Sequence, residues 1–156
     1  MAWFNLKDGI YTVQRAQVIP TPSGMSAVPS GPLKRIYSVT KIAFDPGGKA
    51  TTIKGAYMTP IAIAIGAAEP KLDIEVSNAF ELADARRAMG GVGSTIIVAV
   101  NFVRQGMTPI GYLFLPSTWE NGGGFDGDDA NGFKDKLTVR PQDCFENGTS
   151  IYNKLA

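Results

Sequence analysis

The stretch from Pro70 to Val103 limits the fold most tightly, because it demands a strand, a helix and a second strand in close succession. Lys71-Leu72-Asp73-Ile74-Glu75-Val76 alternates charged and apolar residues at period two, the pattern of a strand with one wet face. Ser77 and Asn78 then offer helix N-caps, and Glu81 stands three residues after Asn78 as in a capping box. Gly90-Gly91 supply the left-handed exit that a helix end favours. These signals predict one short helix over about residues 78–89. The run from Ser94 to Val103 is apolar at both alternating sets of positions, so both faces of that strand require cover.

Little in the rest of the chain supplies that cover. Residues 1–33 read as an extended N-terminal arm. It opens with Trp3, Phe4, Ile10 and Tyr11, after which Pro20, Pro22, Gly24, Pro29, Gly31 and Pro32 argue against regular structure from Ile19 to Leu33. Two large aromatics so near the start favour an arm that docks, on this chain or on a neighbour. Lys34 to Phe44 is rich in β-branched and aromatic residues, Asp45-Pro46-Gly47-Gly48 closes it as a turn, and Lys49 to Tyr57 reads as its hairpin partner. Pro60 to Gly66 alternates large with small, which points Ile61, Ile63 and Ile65 into a core and lets Ala62 and Ala64 meet something closely. Gly106 to Pro109 is a turn, and Ile110 to Leu115 pairs with the strand before it. Ser117 to Asp135 shows no periodicity and reads as a long loop holding Trp119 and the acidic run Asp126, Asp128 and Asp129. Lys136 to Arg140 alternates again, and Asn147-Gly148 marks a turn.

A chain of 156 residues fits a single folded domain, here residues 34–156 after the arm. The reading is mainly β: an antiparallel β-barrel or sandwich with one short flanking helix and extended loops. Net charge is only +1 and charged residues make up 19%, so no global field recommends nucleic acid or an anionic membrane as a binding partner. There is no histidine and one cysteine, Cys144, which removes the commonest metal ligands, the usual triad base and any intrachain disulfide. Cys144 is read as a small apolar residue. No stretch approaches the roughly twenty apolar residues of a membrane span, and the start lacks the pattern of a secretory signal, so synthesis and folding in a cytoplasm are expected. Asn147-Gly148-Thr149 matches a glycosylation sequon without a secretion signal to support it.

The residues that suggest chemistry each have a simpler explanation. The run Asp126 to Gly132 has neither the ligand spacing nor the final Glu of an EF-hand, so it reads as a solvated turn or as a loop meeting basic residues of another subunit. Asp73 and Glu75 share one strand face, but alternation alone accounts for them. Gly90-Gly91-Val92-Gly93 follows a helix and precedes a strand, the reverse of a phosphate-cradling loop. No metal, cofactor or catalytic residue is assigned. On the helix, Ala79, Leu82, Ala85 and Met89 fall in one sector, while Phe80 points the opposite way beside Asp84 and Arg87. With two strands apolar on both faces, Ser94 to Val103 and Ile110 to Leu115, and one helix to cover them, the surplus implies burial against further copies of the chain.

Taken together, these residues resemble phage tail tube proteins, whose subunits form stacked hexameric rings. The resemblance spans roughly Tyr37 to the C-terminus. It rests on Tyr57 to Gly66 with its Pro-Ile-Ala-Ile-Ala-Ile-Gly ending, on Lys71 to Gly90, on the strands Ile96 to Val103 and Ile110 to Leu115, and on Leu137-Thr-Val-Arg-Pro-Gln-Asp. It implies a structural virion protein made in the host cytoplasm, which assembles with itself and meets sheath, baseplate and terminator proteins, with no membrane partner. DNA would pass through the lumen without specific binding. On that reading Lys71, Asp73 and Glu75 line the lumen, while Trp3, Phe4, Phe80, Arg87, Trp119, Asp126, Asp128 and Asp129 meet neighbouring subunits or rings. The alternatives are a monomeric β-sandwich module that binds through the Trp119 to Asp135 loop and, more distantly, a hydrolase using Asp73 and Glu75.

Overall fold

The computed structural model describes residues 4–22, 24–46, 50–54, 60–65, 70–122, 124–129 and 132–150, with backbone alone at 24–26, 50–54, 60–65 and 150. Among the described residues twelve strands and one α-helix follow in this order: β1 (Gly9–Thr21), β2 (Gly24–Ile36), β3 (Val39–Asp45), β4 (Ala50–Lys54), β5 (Pro60–Ile65), β6 (Lys71–Val76), α1 (Ala79–Met89), β7 (Thr95–Phe102), β8 (Ile110–Trp119), β9 (Asp126–Asp128), β10 (Gly132–Pro141), β11 (Cys144–Glu146) and β12 (Thr149–Ser150). The main sheet is antiparallel, in the order β2-β1-β7-β8-β10-β6-β3, with β9 on β10 and the β11–β12 pair on β8. Its end strands, β2 and β3, do not meet, so the architecture is a sandwich and not a closed barrel. The sheet turns where β8 and β10 share only the pairs Val139↔Trp119, Arg140↔Thr118 and Pro141↔Ser117.

Period-two alternation fills the space between the two halves. Val13 from β1, with Ile96, Val98 and Val100 from β7, faces Leu72, Ile74 and Val76 from β6 and Leu137 and Val139 from β10, all in one buried cluster. Leu82, Ala85 and Met89 of α1 complete it, as the helical spacing predicts. At the end of the sandwich away from α1, Phe44 and Phe114 meet edge to face at 4.9 Å. The opposite face of β7, Ile97 and Ala99, is only half-buried, so among the described residues full cover is present on one side alone.

The helix is capped nearly as expected. Asn78 Oδ1 accepts from the backbone N–H groups of Phe80 and Glu81 at 3.1 and 3.3 Å, and Gly90 exits in the left-handed region at φ +103°. The capping box is only half made, because Glu81 Oε1 accepts instead from Tyr37 N, Ser38 N and Ser38 Oγ at 3.0, 3.1 and 2.8 Å. That carboxylate fixes the passage from β2 to β3. An unexpected buried ion pair fixes the other side of the helix: Arg86 Nη2 lies 3.3 Å from Asp135 Oδ2, with both side chains about nine-tenths covered and the guanidinium 5.2 Å from the Trp119 ring.

Several expectations are corrected. The segment from Ile19 to Leu33 is not irregular; it supplies the end of β1 and most of β2. Its prolines are tolerated because Pro29 and Pro32 sit on an edge strand, and Pro20 lies beyond Arg15, where pairing with β7 has ended. The strand expected from Lys34 to Phe44 is two strands broken at Tyr37-Ser38, and β3 pairs with β6, not with the segment after its turn. That segment, β4, pairs with β5 in a separate two-stranded sheet, and the side chains of Ile61, Ile63, Ile65, Ala62 and Ala64 lie outside the described residues. The region from Ser117 to Asp135 is not one loop, since β8 runs on to Trp119 and β9 pairs with the start of β10. Asn147-Gly148 does turn, with φ +49° and +86°, between β11 and β12.

Two stability predictions follow from these contacts. Removing one member of the buried pair strands the other charge, so Asp135→Asn should lower unfolding free energy by about 3 kcal/mol in urea titrations, whereas Arg86→Met combined with Asp135→Leu should recover most of it. Glu81→Ala leaves three donors without their acceptor and should cost roughly 1–2 kcal/mol by the same measurement.

Candidate assembly surfaces

Three surfaces stand out once the side chains are placed. The first is the outer face of β3, β6 and β10. Alternation on β6 buries Leu72, Ile74 and Val76 and turns Lys71, Asp73 and Glu75 outward together, on the side that the sequence predicts. Register extends this face into cross-strand rows: Lys41, Glu75 and Lys136 lie abreast, as do Ala43, Asp73 and Thr138. Lys41 Nζ is 3.8 Å from Glu75 Oε2, Lys71 Nζ is 3.8 Å from Asp73 Oδ2, and Thr138 Oγ1 donates to Asp73 Oδ1 at 2.8 Å. Such solvent-facing pairs are worth at most about 1 kcal/mol each, so their effect is to interleave the two signs of charge. Asp73 and Glu75 lie in an open face beside cations and a hydroxyl, not in the enclosed site that an acid–base pair uses.

The second surface is aromatic. Phe80 in the first turn of α1, Phe125 before β9 and Phe133 on β10 pack ring against ring, with centroids 5.4 Å (Phe80–Phe133), 5.6 Å (Phe125–Phe133) and 6.2 Å (Phe80–Phe125) apart. They nevertheless stay 59%, 68% and 46% exposed. Phe133 pairs across the strands with Gly127, and a Cβ at Gly127 would overlap the Phe133 ring, so the glycine is what lets the ring lie on β9. Asp126, Asp128 and Asp129 are exposed around the patch, and Arg87 lies beyond it, 3.9 Å from Asp84. Somewhat over half of roughly 200 Å2 per ring leaves about 350 Å2 wet, and covering it is worth on the order of 9 kcal/mol at about 25 cal/mol per Å2. A patch of that size on one chain is commonly an interaction site. Phe125, Asp126 and Lys134 also line a cleft of about 840 Å3 that runs from the patch to Lys41, Glu75 and Lys136, so the aromatic and charged surfaces adjoin.

The third surface is the outer face of β7 and β8, where Ala99, Leu113 and Leu115, with Phe145 of β11, line a shallow cleft of about 570 Å3. This is the uncovered side of the strand that is apolar on both faces.

Other sequence-selected residues lie elsewhere. Trp119 is corrected from a loop contact to a core residue: as the end of β8 it is fully buried, stacked beneath Arg86, with no surface to offer a partner. Phe4 is half-buried, its ring 5.7 Å from Phe102 of the same chain, and Trp3 lies outside the described residues. Among the described residues no three Asp, Glu or Cys side chains converge to hold a metal, and no helix is long and apolar enough to cross a membrane. Sequence reasoning missed Phe125 and Phe133, whose signal is a Gly-Phe pair on each side of the acidic run, Gly124-Phe125 and Gly132-Phe133.

Cys144 is buried on β11, and its thiol is pushed up to about 12, first by burial and then by the carboxylates of Asp143 and Glu146. The folded protein should therefore leave Ellman's reagent unreacted at pH 8, and denaturant should release one thiol per chain.

No family model matches the chain, and no curated protein matches it. Among solved structures, it is similar to Hcp1 from Flavobacterium johnsoniae, at 11% identity over 90% of this chain and 97% of that one, with a TM-score of 0.45. It is also similar to a chain of the anti-feeding prophage (AFP) baseplate, solved by cryo-EM and 6-fold symmetrised, at 11% identity over 87% of this chain and 91% of that one, with a TM-score of 0.46.

Proposed function

We propose that this chain is a structural subunit that assembles with copies of itself into the tube of a phage-type tail or related injection system. The observation that carries the reading is the division of its surface. Interleaved charges occupy the outer face of β3, β6 and β10, while exposed apolar side chains gather in the Phe80–Phe125–Phe133 patch and on β7 and β8. A subunit that closes into rings needs such a division, with apolar surfaces turned to neighbours and a polar one left wet. The resemblance of Tyr57–Gly66, Lys71–Gly90 and the later strands to tail tube proteins supports the same reading.

On this proposal Lys71, Asp73 and Glu75 belong to the lumen wall of stacked hexameric rings. Mixed charge suits a channel through which DNA passes, because binding phosphate tightly requires clustered Lys and Arg, and here carboxylates stand between the lysines. Phe80, Arg87, Asp126, Asp128 and Asp129 meet neighbouring subunits or rings, as do Trp3 and Phe4 at the start of the chain. Sheath, baseplate and terminator proteins are the further partners, and the role is structural, not catalytic.

Negative-stain microscopy of the purified protein tests the proposal. Rings or rods of uniform diameter with a stain-filled centre are expected. A monomer at every concentration, with or without candidate tail partners, would overturn it and favour a binding module built on the loop after Trp119.

A further inference from the structure

At the end of the sandwich away from α1, the two halves leave between them a cavity of about 260 Å3. Ile42 and Phe44 of β3 wall one side, while Val100 and Phe102 of β7 and Tyr112 and Phe114 of β8 wall the other, so aromatic rings make up most of the lining. Phe44 and Phe114 meet at 68°, and Phe102 is held by Phe4 at 5.7 Å and Tyr11 at 6.3 Å. Ile42, Phe44, Phe102 and Tyr112 are only half-buried, so the cavity is reached from solvent.

Size and chemistry together narrow what fits. An apolar cavity of roughly 150 Å3 takes benzene, so this one admits a compact group with a short tail. Ring faces are electron-rich, and a cavity walled by rings prefers a cation to a neutral group of the same shape. Of the lining side chains only Tyr112 carries a polar atom. A primary ammonium would have to give up hydrogen bonds to water there, whereas a quaternary ammonium makes none. A carboxylate stands at the margin: Glu146 lies opposite Tyr112 on the neighbouring strand, with both side chains on the same side of the sheet. Its field reaches the cavity, since the Tyr112 hydroxyl is pushed above its ordinary value, first by burial and then by Glu146 and Cys144.

We propose that this cavity binds a small quaternary ammonium solute, with its trimethylammonium head among Phe44, Phe102, Tyr112 and Phe114 and the Glu146 carboxylate at its margin. The site is complete within one chain, so it stands whether or not copies assemble.

Choline is the probe, titrated into the full chain and followed by heteronuclear NMR. Saturable shifts centred on β3, β7, β8 and β11 are expected, with an affinity at least tenfold greater than that of the uncharged isostere carrying a tert-butyl group in place of trimethylammonium. Phe102→Leu should weaken choline at least tenfold with circular dichroism unchanged. Glu146→Gln, which leaves the rings in place, should weaken choline severalfold and leave the isostere as it was. Absence of saturable shifts up to about 10 mM choline overturns the proposal. Equal binding of choline and the isostere overturns it as well, because the cavity then has no preference for charge. Phosphatidylcholine vesicles that capture the protein while free choline does not bind would overturn it in favour of a lipid surface.

Discussion

The helix α1 holds the sandwich together, and the rest of the arrangement depends on how it is tied. α1 packs against β1 and β2 on one side and β10 on the other. Glu81 grips the passage from β2 to β3, Lys34 reaches Asp84 at 3.5 Å, and Arg86 reaches across to Asp135. A sheet whose end strands never pair is joined by a ladder only where β8 meets β10, so elsewhere the link between its two halves comes from side chains. The apolar row of Leu82, Ala85 and Met89 supplies burial, while the Arg86–Asp135 pair fixes the position of the helix. A buried pair of this kind adds little net stability over an apolar substitute, yet punishes any arrangement that separates its members.

That way of closing the core leaves its mark on the surface. With α1 spent on the interior, no second α-helix among the described residues is left to cover the outer faces of the sheet. On β3, β6 and β10 most of the outward residues are charged and need none. On β7 and β8 they are apolar and half-covered, and the start of α1 adds Phe80 to Phe125 and Phe133. The hydrophobic effect makes such a distribution costly for a chain that works alone and useful for one that works packed among others.

The elements that the sequence revealed are those with local causes. β6 follows from alternation at period two, and α1 from Asn78 at one end and Gly90 at the other, because backbone geometry and capping act over a few residues. Pairing partners are a different matter. Nothing in Val39–Asp45 says that it joins β6 instead of the segment after its turn, since alternation identifies a buried face and not the strand beside it. Prolines between Ile19 and Leu33 weighed against a strand because the rule against them assumes ladders on both sides, and these strands have one. Trp119, amid glycines and aspartates, looked like loop and proved to be core, because the fold carries β8 four residues past Leu115.

Of the surfaces, the row of Lys71, Asp73 and Glu75 was legible and the aromatic patch was not. Phe80 could be seen pointing away from the apolar side of its own helix, but its neighbours Phe125 and Phe133 lie more than forty residues along the chain. The sequence by itself determined the β-rich class, the one helix with its boundaries, and the surplus of apolar residues over cover, because these follow from periodicity, capping and composition. The tertiary structure alone decided which strands adjoin, that Arg86 is buried against Asp135, and that three phenylalanines meet in the open, because each depends on contacts between segments distant in the chain.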